Sequence, residues 1–129
     1  MKITVYCDAG PARKPWPGSG PLRYGAVLLA EDGVDLSAHV QVGTGTIAQG
    51  EAWAVQLGVA EALRRGATQI CVYTDCQSLA LILQGRARVR DEETRAAVRW
   101  VRDRLSIRPG STVCWIPRNE NHAAHRLVQ

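Results

Sequence analysis

The sequence lacks any apolar run approaching the roughly 20 residues needed to cross a bilayer, although 46% of its 129 residues are hydrophobic. That share of hydrophobic residues is too high for a disordered chain, and the length suffices for one core but not for two. No charged and then apolar leader precedes the strand-like residues 2–6. We therefore expect a single domain over residues 1–129 that is cytoplasmic, monomeric and not attached to a membrane.

The four cysteines lack any paired spacing. Cys7, Cys71, Cys76 and Cys114 are scattered along the chain, and three of them lie inside apolar, strand-like runs. CxxC pairs, which are typical of zinc modules, are missing, and so is the dense cysteine pattern of a disulfide framework. We interpret these residues as small buried hydrophobic side chains with free thiols.

Acidic residues are fewer than basic ones. The chain has 12 Asp and Glu residues against 16 Lys and Arg residues, and its net charge is +4. Nearly all of the positive charge comes from arginine, and this balance suits an anionic partner such as nucleic acid. The alternative is that an arginine-rich chain reflects a biased genome.

Hydrophobic periodicity predicts the order βββαβααβα. Residues 3–8 and 34–42 alternate as strands do, and residues 24–30 are predicted as a further strand. Tight-turn residues 31–33 join the last two strands, so the three should form an antiparallel meander. The pattern then predicts a helix over 48–65, a strand over 70–74, a helix over 78–84, a helix from 91 to the Pro109-Gly110 pair, a strand over 112–116 and a helix over 119–128. This order favours an α/β fold with a mixed sheet, in which two parallel strands extend the meander and helices cover both faces.

Two segments between these elements display basic or aromatic residues. Residues 10–22 are rich in glycine and proline, so we predict a loop that carries Arg13, Lys14 and Trp16. Trp16 is either a lid over the edge of the sheet or a stacking platform for a sugar or base. The linker GRARVR, residues 85–90, is either a solvated connection or a contact for phosphates. Trp53, Trp100 and Trp115 are interpreted as packing residues.

Acidic residues follow two of the predicted strands and start the long helix. Asp8 ends the first strand, Asp75 follows the strand over 70–74, and Glu51 is expected in the first turn of the helix over 48–65. If the two strands are parallel neighbours, Asp8 and Asp75 lie side by side at the sheet edge where ligands bind. Three converging carboxylates repel one another, so such a cluster is typical of a site for divalent cations, two of which can flank a phosphodiester.

Each acid also has a structural alternative. Asp8 suits the start of a turn before Ala9 and Gly10, and Glu51 suits the first turn of a helix because of the helix dipole. Asp75 suits the N-cap of the following helix. All three structural roles together would require a coincidence of position across three elements, so the joint pattern favours a function.

Five motifs in this order resemble type 1 ribonuclease H, within the ribonuclease H-like superfamily. They are YCDAG, RYGAVLL, AQGEAWA, YTDCQSL and WIPRNENHAAHRL, and the resemblance runs from about residue 2 to residue 127. The resemblance implies a mixed five-stranded sheet and hydrolysis of the RNA strand of RNA/DNA hybrids with two Mg²⁺ or Mn²⁺ ions, giving 3′-hydroxyl and 5′-phosphate ends. By motif, Asp8 would bridge both ions, while Glu51 and Asp75 would complete the site of one of them.

The chain departs from the family pattern at three places. The fourth acid, in the pattern R-x-x-N-x-x-A-D-x-L-A, is replaced by His125, whose imidazole suits Mn²⁺ better than Mg²⁺. His125 is either a ligand or proton carrier or a bystander, and His122 is an alternative on nearly the same helix face. Ile47 and Ala48 replace asparagines that in many members touch the hybrid. The basic extension of some members is absent, as in compact bacterial and archaeal members.

The resemblance therefore implies two sets of site residues. The catalytic and metal-binding set is Asp8, Glu51, Asp75 and His125. The nucleic-acid-binding set is Gly10, Arg13, Trp16, Gln49, Ser78, Arg118 and Asn121. The alternatives are a catalytically weak or inactive member that binds nucleic acid, and a nuclease for double-stranded RNA or single strands.

Overall fold

The computed structural model contains one five-stranded sheet and four α-helices. It describes the backbone of residues 1–129 and every side chain apart from that of Asp35. The strands are β1 (Lys2–Pro11), β2 (Gly20–Ala30), β3 (Asp35–Gly45), β4 (Gln69–Thr74) and β5 (Thr112–Trp115). The helices are α1 (Ile47–Arg64), α2 (Gln77–Leu83), α3 (Glu92–Ser106) and α4 (His122–Val128), and a single 3-10 turn, Arg118–Glu120, precedes α4. The predicted order of elements is confirmed.

The strands lie in the order β3-β2-β1-β4-β5. The pairs β1–β2 and β2–β3 are antiparallel, while β1–β4 and β4–β5 are parallel. The predicted mixed sheet, a meander extended by two parallel strands, is therefore confirmed. Its last parallel pair joins Cys7 of β1 to Thr74 of β4, so the next residues in the chain, Asp8 and Asp75, lie side by side where the parallel pairing ends.

Helices cover both faces of the sheet, as predicted. On one face α1 packs on β1 and β2, and a Cβ atom added to Gly58 would meet Val5 and Cys7. On the other face α4 packs on the same strands, where a Cβ atom added to Gly25 would lie 3.2 Å from Leu127 Cδ1. Alternation along β1 thus sends odd-numbered residues toward α1 and even-numbered residues, including Asp8, toward α4.

Several predicted boundaries were wrong, including the end of the third strand, which reaches Gly45 and not Val42. The loop predicted over residues 10–22 is shorter, because β1 and β2 stay paired up to Pro11 and Leu22, and the Ala12 amide donates to the Pro21 carbonyl over 3.0 Å. The helix predicted over 119–128 is divided at Asn121, whose backbone has the non-helical angles φ −117° and ψ 35°. The break turns the Asn121 side chain into the sheet, where it bonds to the backbone of β1.

All four cysteines are free thiols. Cys7 and Cys71 are buried, whereas Cys76 and Cys114 are partly exposed. Among the described residues, no helix combines the length and the apolar character that a membrane crossing requires.

Candidate active site

Asp8 is a buried residue in the middle of β1. The strand continues through Pro11 and pairs Asp8 with Gly25 of β2. The side chain is 1% exposed, and its Oδ1 accepts a hydrogen bond of 2.9 Å from the amide of Ala9. The structural alternative, a turn that begins at Asp8, was therefore wrong, because the residue lies inside a paired strand.

Glu51 lies in the second turn of α1, not in the first turn as predicted. Thr46 caps the helix together with Gln49 in a capping box, so α1 begins at Ile47 and has no acid in its first turn. The helix comes close to the sheet at this point, since a Cβ atom on Gly50 would lie 3.0 Å from Ala9 Cβ. Glu51 is 5% exposed, and its buried Oε2 has no hydrogen-bond partner among the described residues.

Asp75 follows directly after β4 and is held by two side chains. Asn121 Nδ2 donates to Asp75 Oδ2 over 3.2 Å and to the Cys7 carbonyl over 2.8 Å. The indole of Trp115 donates to the Asp75 carbonyl over 3.2 Å. Asp75 is not the N-cap of α2, because Cys76 occupies that position without a side-chain hydrogen bond. The carboxylate is therefore held at the edge of the sheet and not used as a helix cap.

The ligand oxygens of Asp8, Glu51 and Asp75 all lie within 4.8 Å of one another. Burial, together with the nearby charge of Asp8, raises the pKa of Glu51 to about 10. Burial also raises the pKa of Asp75, while the Asn121 hydrogen bond and the charges of Arg118 and His125 partly offset the shift. Like charges at this distance oppose ionisation in the absence of a counter-charge.

A divalent cation fits this cluster. Carboxylate oxygens are the ligands that Mg²⁺ and Mn²⁺ take from proteins. The buried Oε2 of Glu51 is an acceptor that no other described group satisfies. A cation beside it would give this oxygen a partner and would offset the repulsion among the three carboxylates. The three acids are thus suited to hold metal ions, as the sequence predicted from their positions.

His125 contacts the cluster from α4. Its Nδ1 lies 2.8 Å from Asp8 Oδ2, and its side chain is 34% exposed. The imidazole therefore lies against one oxygen of an acid that a cation would use. His122 is exposed one turn earlier on α4.

The residues predicted to bind nucleic acid occupy different positions. Arg13 and Trp16 lie on the loop between β1 and β2, and Arg118 is exposed before α4. Gln49 accepts from the Thr46 amide over 2.9 Å and donates to Asp91 over 3.0 Å, thereby joining α1 to the N-cap of α3. Three more complete the set: Gly10 is buried beneath Val128, Ser78 is exposed on α2, and Asn121 is 1% exposed.

Sequence reasoning did not find the contact between Asn121 and β1, or the role of Thr46. The capping box at Thr46 is readable from the sequence, since Thr at the cap and Gln three residues later form its signature. It would have placed the start of α1 at Ile47. No local sequence pattern predicts the contact of Asn121 with β1, because it joins residues 114 positions apart.

Comparison with known proteins gives one family and several related structures. Residues 18–129 match the family model described as reverse transcriptase-like. The amino-terminal RNase H domain of a Mycobacterium tuberculosis protein, solved as a fusion with maltose-binding protein, is 25% identical with a TM-score of 0.89, over 99% of this chain and 91% of that one. RNase H1 from the halophilic archaeon Halobacterium salinarum is 23% identical with a TM-score of 0.88, over 99% and 95% of the two chains.

A third structure contains a ligand. It is LC11-RNase H1 in complex with an RNA/DNA hybrid, 23% identical with a TM-score of 0.83, over 98% of this chain and 93% of that one. Among curated proteins, none matches the chain.

Proposed function

Because the chain belongs to the reverse transcriptase-like family and has the fold of the type 1 ribonucleases H, we propose that it is a metal-dependent endonuclease that cuts the RNA strand of RNA/DNA hybrids. The resemblance and the fold inferred from the five sequence motifs are confirmed. The observation that carries the proposal is the set of three carboxylates within 4.8 Å, one of which has a buried oxygen without a partner. A similar RNase H1 binds an RNA/DNA hybrid, which supports this class of substrate.

The three acids and Asn121 have distinct roles in the proposed reaction. Asp8, Glu51 and Asp75 hold the cations, and β1, α1 and β4 fix their separations. Two divalent ions bound there would supply an activated water and stabilise the leaving oxygen of an in-line displacement, which leaves 3′-hydroxyl and 5′-phosphate ends. Asn121 positions Asp75, because its amide ties one Asp75 oxygen to the backbone of β1. Preorganised groups of this kind need not be reoriented during the reaction.

The proposal is tested by cleavage of a labelled RNA/DNA hybrid in Mg²⁺ and, separately, in Mn²⁺. We expect the native chain to cut the RNA strand and Asp75→Asn to lower the rate more than a hundredfold, since loss of an outer-shell partner of a ligand alone costs roughly 10- to 100-fold. Glu93→Gln is the matched control, because it removes an exposed carboxylate from α3. Equal rates for Asp75→Asn and Glu93→Gln would contradict the proposed metal site. A panel with double-stranded RNA and single strands establishes which substrate is cut.

A second candidate function, binding of nucleic acid without cleavage, is favoured by the contact between His125 and Asp8. The imidazole at 2.8 Å occupies an Asp8 oxygen and supplies no negative charge of its own. If the first proposal is correct, His125→Asp should raise the Mg²⁺-supported rate roughly tenfold, since a carboxylate suits this hard cation better. His122→Asp is the control on the same helix. No cleavage in either metal, with hybrid binding intact, would establish the second function.

A further inference from the structure

A groove lined by four arginines lies between α2 and α3, outside the acidic cluster. Its volume is about 470 Å³. Arg88 comes from the linker after α2, and Arg95, Arg99 and Arg102 come from α3. We call this surface, defined by those four residues, the arginine groove. The proposed function assigns it no role.

The position of the arginines follows from how α3 packs. Arg95, Arg99 and Arg102 are spaced at i, i+4 and i+7, so they lie along one stripe of the helix. The adjoining stripe is buried in the core and includes Val98 and Val101. Packing of this apolar stripe fixes the rotation of α3 about its axis. It therefore turns the three guanidinium groups toward the linker and Arg88.

Most of the positive charge in the arginine groove is uncompensated. Arg95 pairs with Glu92 over 3.1 Å and donates to the Val89 carbonyl over 3.0 Å. The other three arginines form no ion pair among the side chains that the structure describes. Asp103 contributes a negative charge at the lining. A concave surface with charge of mainly one sign raises the local concentration of an anionic ligand.

The arginine groove adjoins a second cavity that reaches the residue after Asp75. This second cavity, of about 340 Å³, shares Ile82, Arg88 and Val89 with the arginine groove. That cavity reaches Cys76, the residue that directly follows Asp75 in the chain. The two adjoining cavities therefore extend from Cys76, past Arg88, to α3.

We infer that the arginine groove binds the sugar–phosphate backbone of the nucleic acid on one side of the cleaved position. Guanidinium groups match phosphate oxygens in a two-bond geometry, and phosphate contacts supply most of the affinity for a duplex without reading its sequence. From Arg95 to Arg102, α3 rises about 10 Å, the axial length of about three nucleotides of one strand. The identity of the ligand as a nucleic-acid duplex rests on the proposed function, while its placement rests on the groove.

The test is equilibrium binding of a labelled hybrid of about 20 base pairs, two helical turns, to the full chain in metal-free buffer. Arg99→Ala/Arg102→Ala removes two groove arginines. Arg64→Ala/Arg65→Ala is the matched control, since it removes the same charge from exposed positions at the end of α1. Affinity is measured over a series of salt concentrations, and circular dichroism checks that each variant is folded.

We expect the groove variant to bind at least roughly tenfold more weakly at about 0.1 M salt, and its slope of log affinity against log salt to fall by about 2. The control variant should keep a higher affinity and a steeper dependence of affinity on salt than the groove variant. Equal losses in the two variants, or no binding by the native chain, would overturn the inference. Because this assay needs no cleavage, a native chain that binds through the groove without cutting would contradict only the proposed nuclease activity.

Discussion

Glu51 is a buried acid whose charged form is unfavourable in the folded protein. Its Oε2 has no partner in the part of the chain that the structure describes, and carboxylate oxygens of Asp8 and Asp75 lie within 4.8 Å of a Glu51 oxygen. These surroundings raise its pKa from 4.5 to about 10. In the absence of metal, the folded chain therefore keeps a proton on Glu51 at neutral pH, whereas the unfolded chain releases it.

This difference predicts the pH dependence of stability without metal. Between the unfolded pKa of 4.5 and the folded pKa of about 10, the folded state binds more protons, so the free energy of unfolding should fall as pH rises. Glu51→Gln has nearly the same shape and cannot ionise, so it should be more stable than the native chain at pH 7 by up to about 3 kcal/mol. Urea unfolding in chelator at several pH values measures this difference.

The control for this experiment is Glu61→Gln, a change on the same helix outside the acidic cluster. Glu61→Gln should still show the fall in the free energy of unfolding with rising pH that Glu51 causes in the native chain. If the native chain and Glu51→Gln show the same change of stability with pH, the raised pKa of Glu51 is contradicted.

At the scale of the element, α1 depends on two glycines where it crosses the sheet. A Cβ atom on Gly58 would overlap Val5 Cγ1, and one on Gly50 would lie 2.9 Å from Leu22 Cδ1 and 3.0 Å from Ala9 Cβ. Both positions therefore allow a close approach of helix and strands. Gly50 precedes Glu51, so the contact at Gly50 also sets the distance of that carboxylate from Asp8.

The two glycines should differ in their effect on function. Alanine at either position overpacks the interface and should lower the free energy of unfolding by about 1–3 kcal/mol, less any gain in helix propensity of up to about 1 kcal/mol. Gly50→Ala should also weaken metal-dependent cleavage by folded protein, because it moves Glu51 away from the cluster. Gly58→Ala, two turns further along α1, is the control, because it should lower stability without moving Glu51.

This comparison uses cleavage rates measured well below the melting temperature of both variants. If Gly58→Ala lowers the rate as much as Gly50→Ala does, the close approach at Gly50 has no special role in placing Glu51.

At the scale of the whole molecule, the sequence predicted the parts of the site that depend on regular patterns. The period of β1 and the length of the crossover to β4 place Asp8 and Asp75 at one edge, and the register of Cys7 with Thr74 confirms this. The extension of β1 through Pro11 was missed because pairing with β2 outweighs the low strand propensity of glycine and proline.

The docking of α4 was not predictable from the sequence. His125 meets Asp8 from 117 residues away, and no local pattern specifies how a seven-residue helix sits on a sheet. The break at Asn121 has the same origin, since its amide bonds to the Cys7 carbonyl only after the sheet has formed. Tertiary contacts decide such positions after local propensity has defined the elements.

Because the acids come together only in the folded chain, cations should stabilise the whole molecule. A ligand that binds the folded state alone, at a concentration of 100 times its Kd, adds about 2.7 kcal/mol. In a domain of this length that corresponds to a rise in melting temperature of about 10 °C. Scanning calorimetry with Mn²⁺ should show this rise in the native chain and in Glu93→Gln, with reversal by chelator, and little rise in Asp75→Asn. An equal rise in Asp75→Asn would mean that the stabilising ion binds elsewhere on the protein.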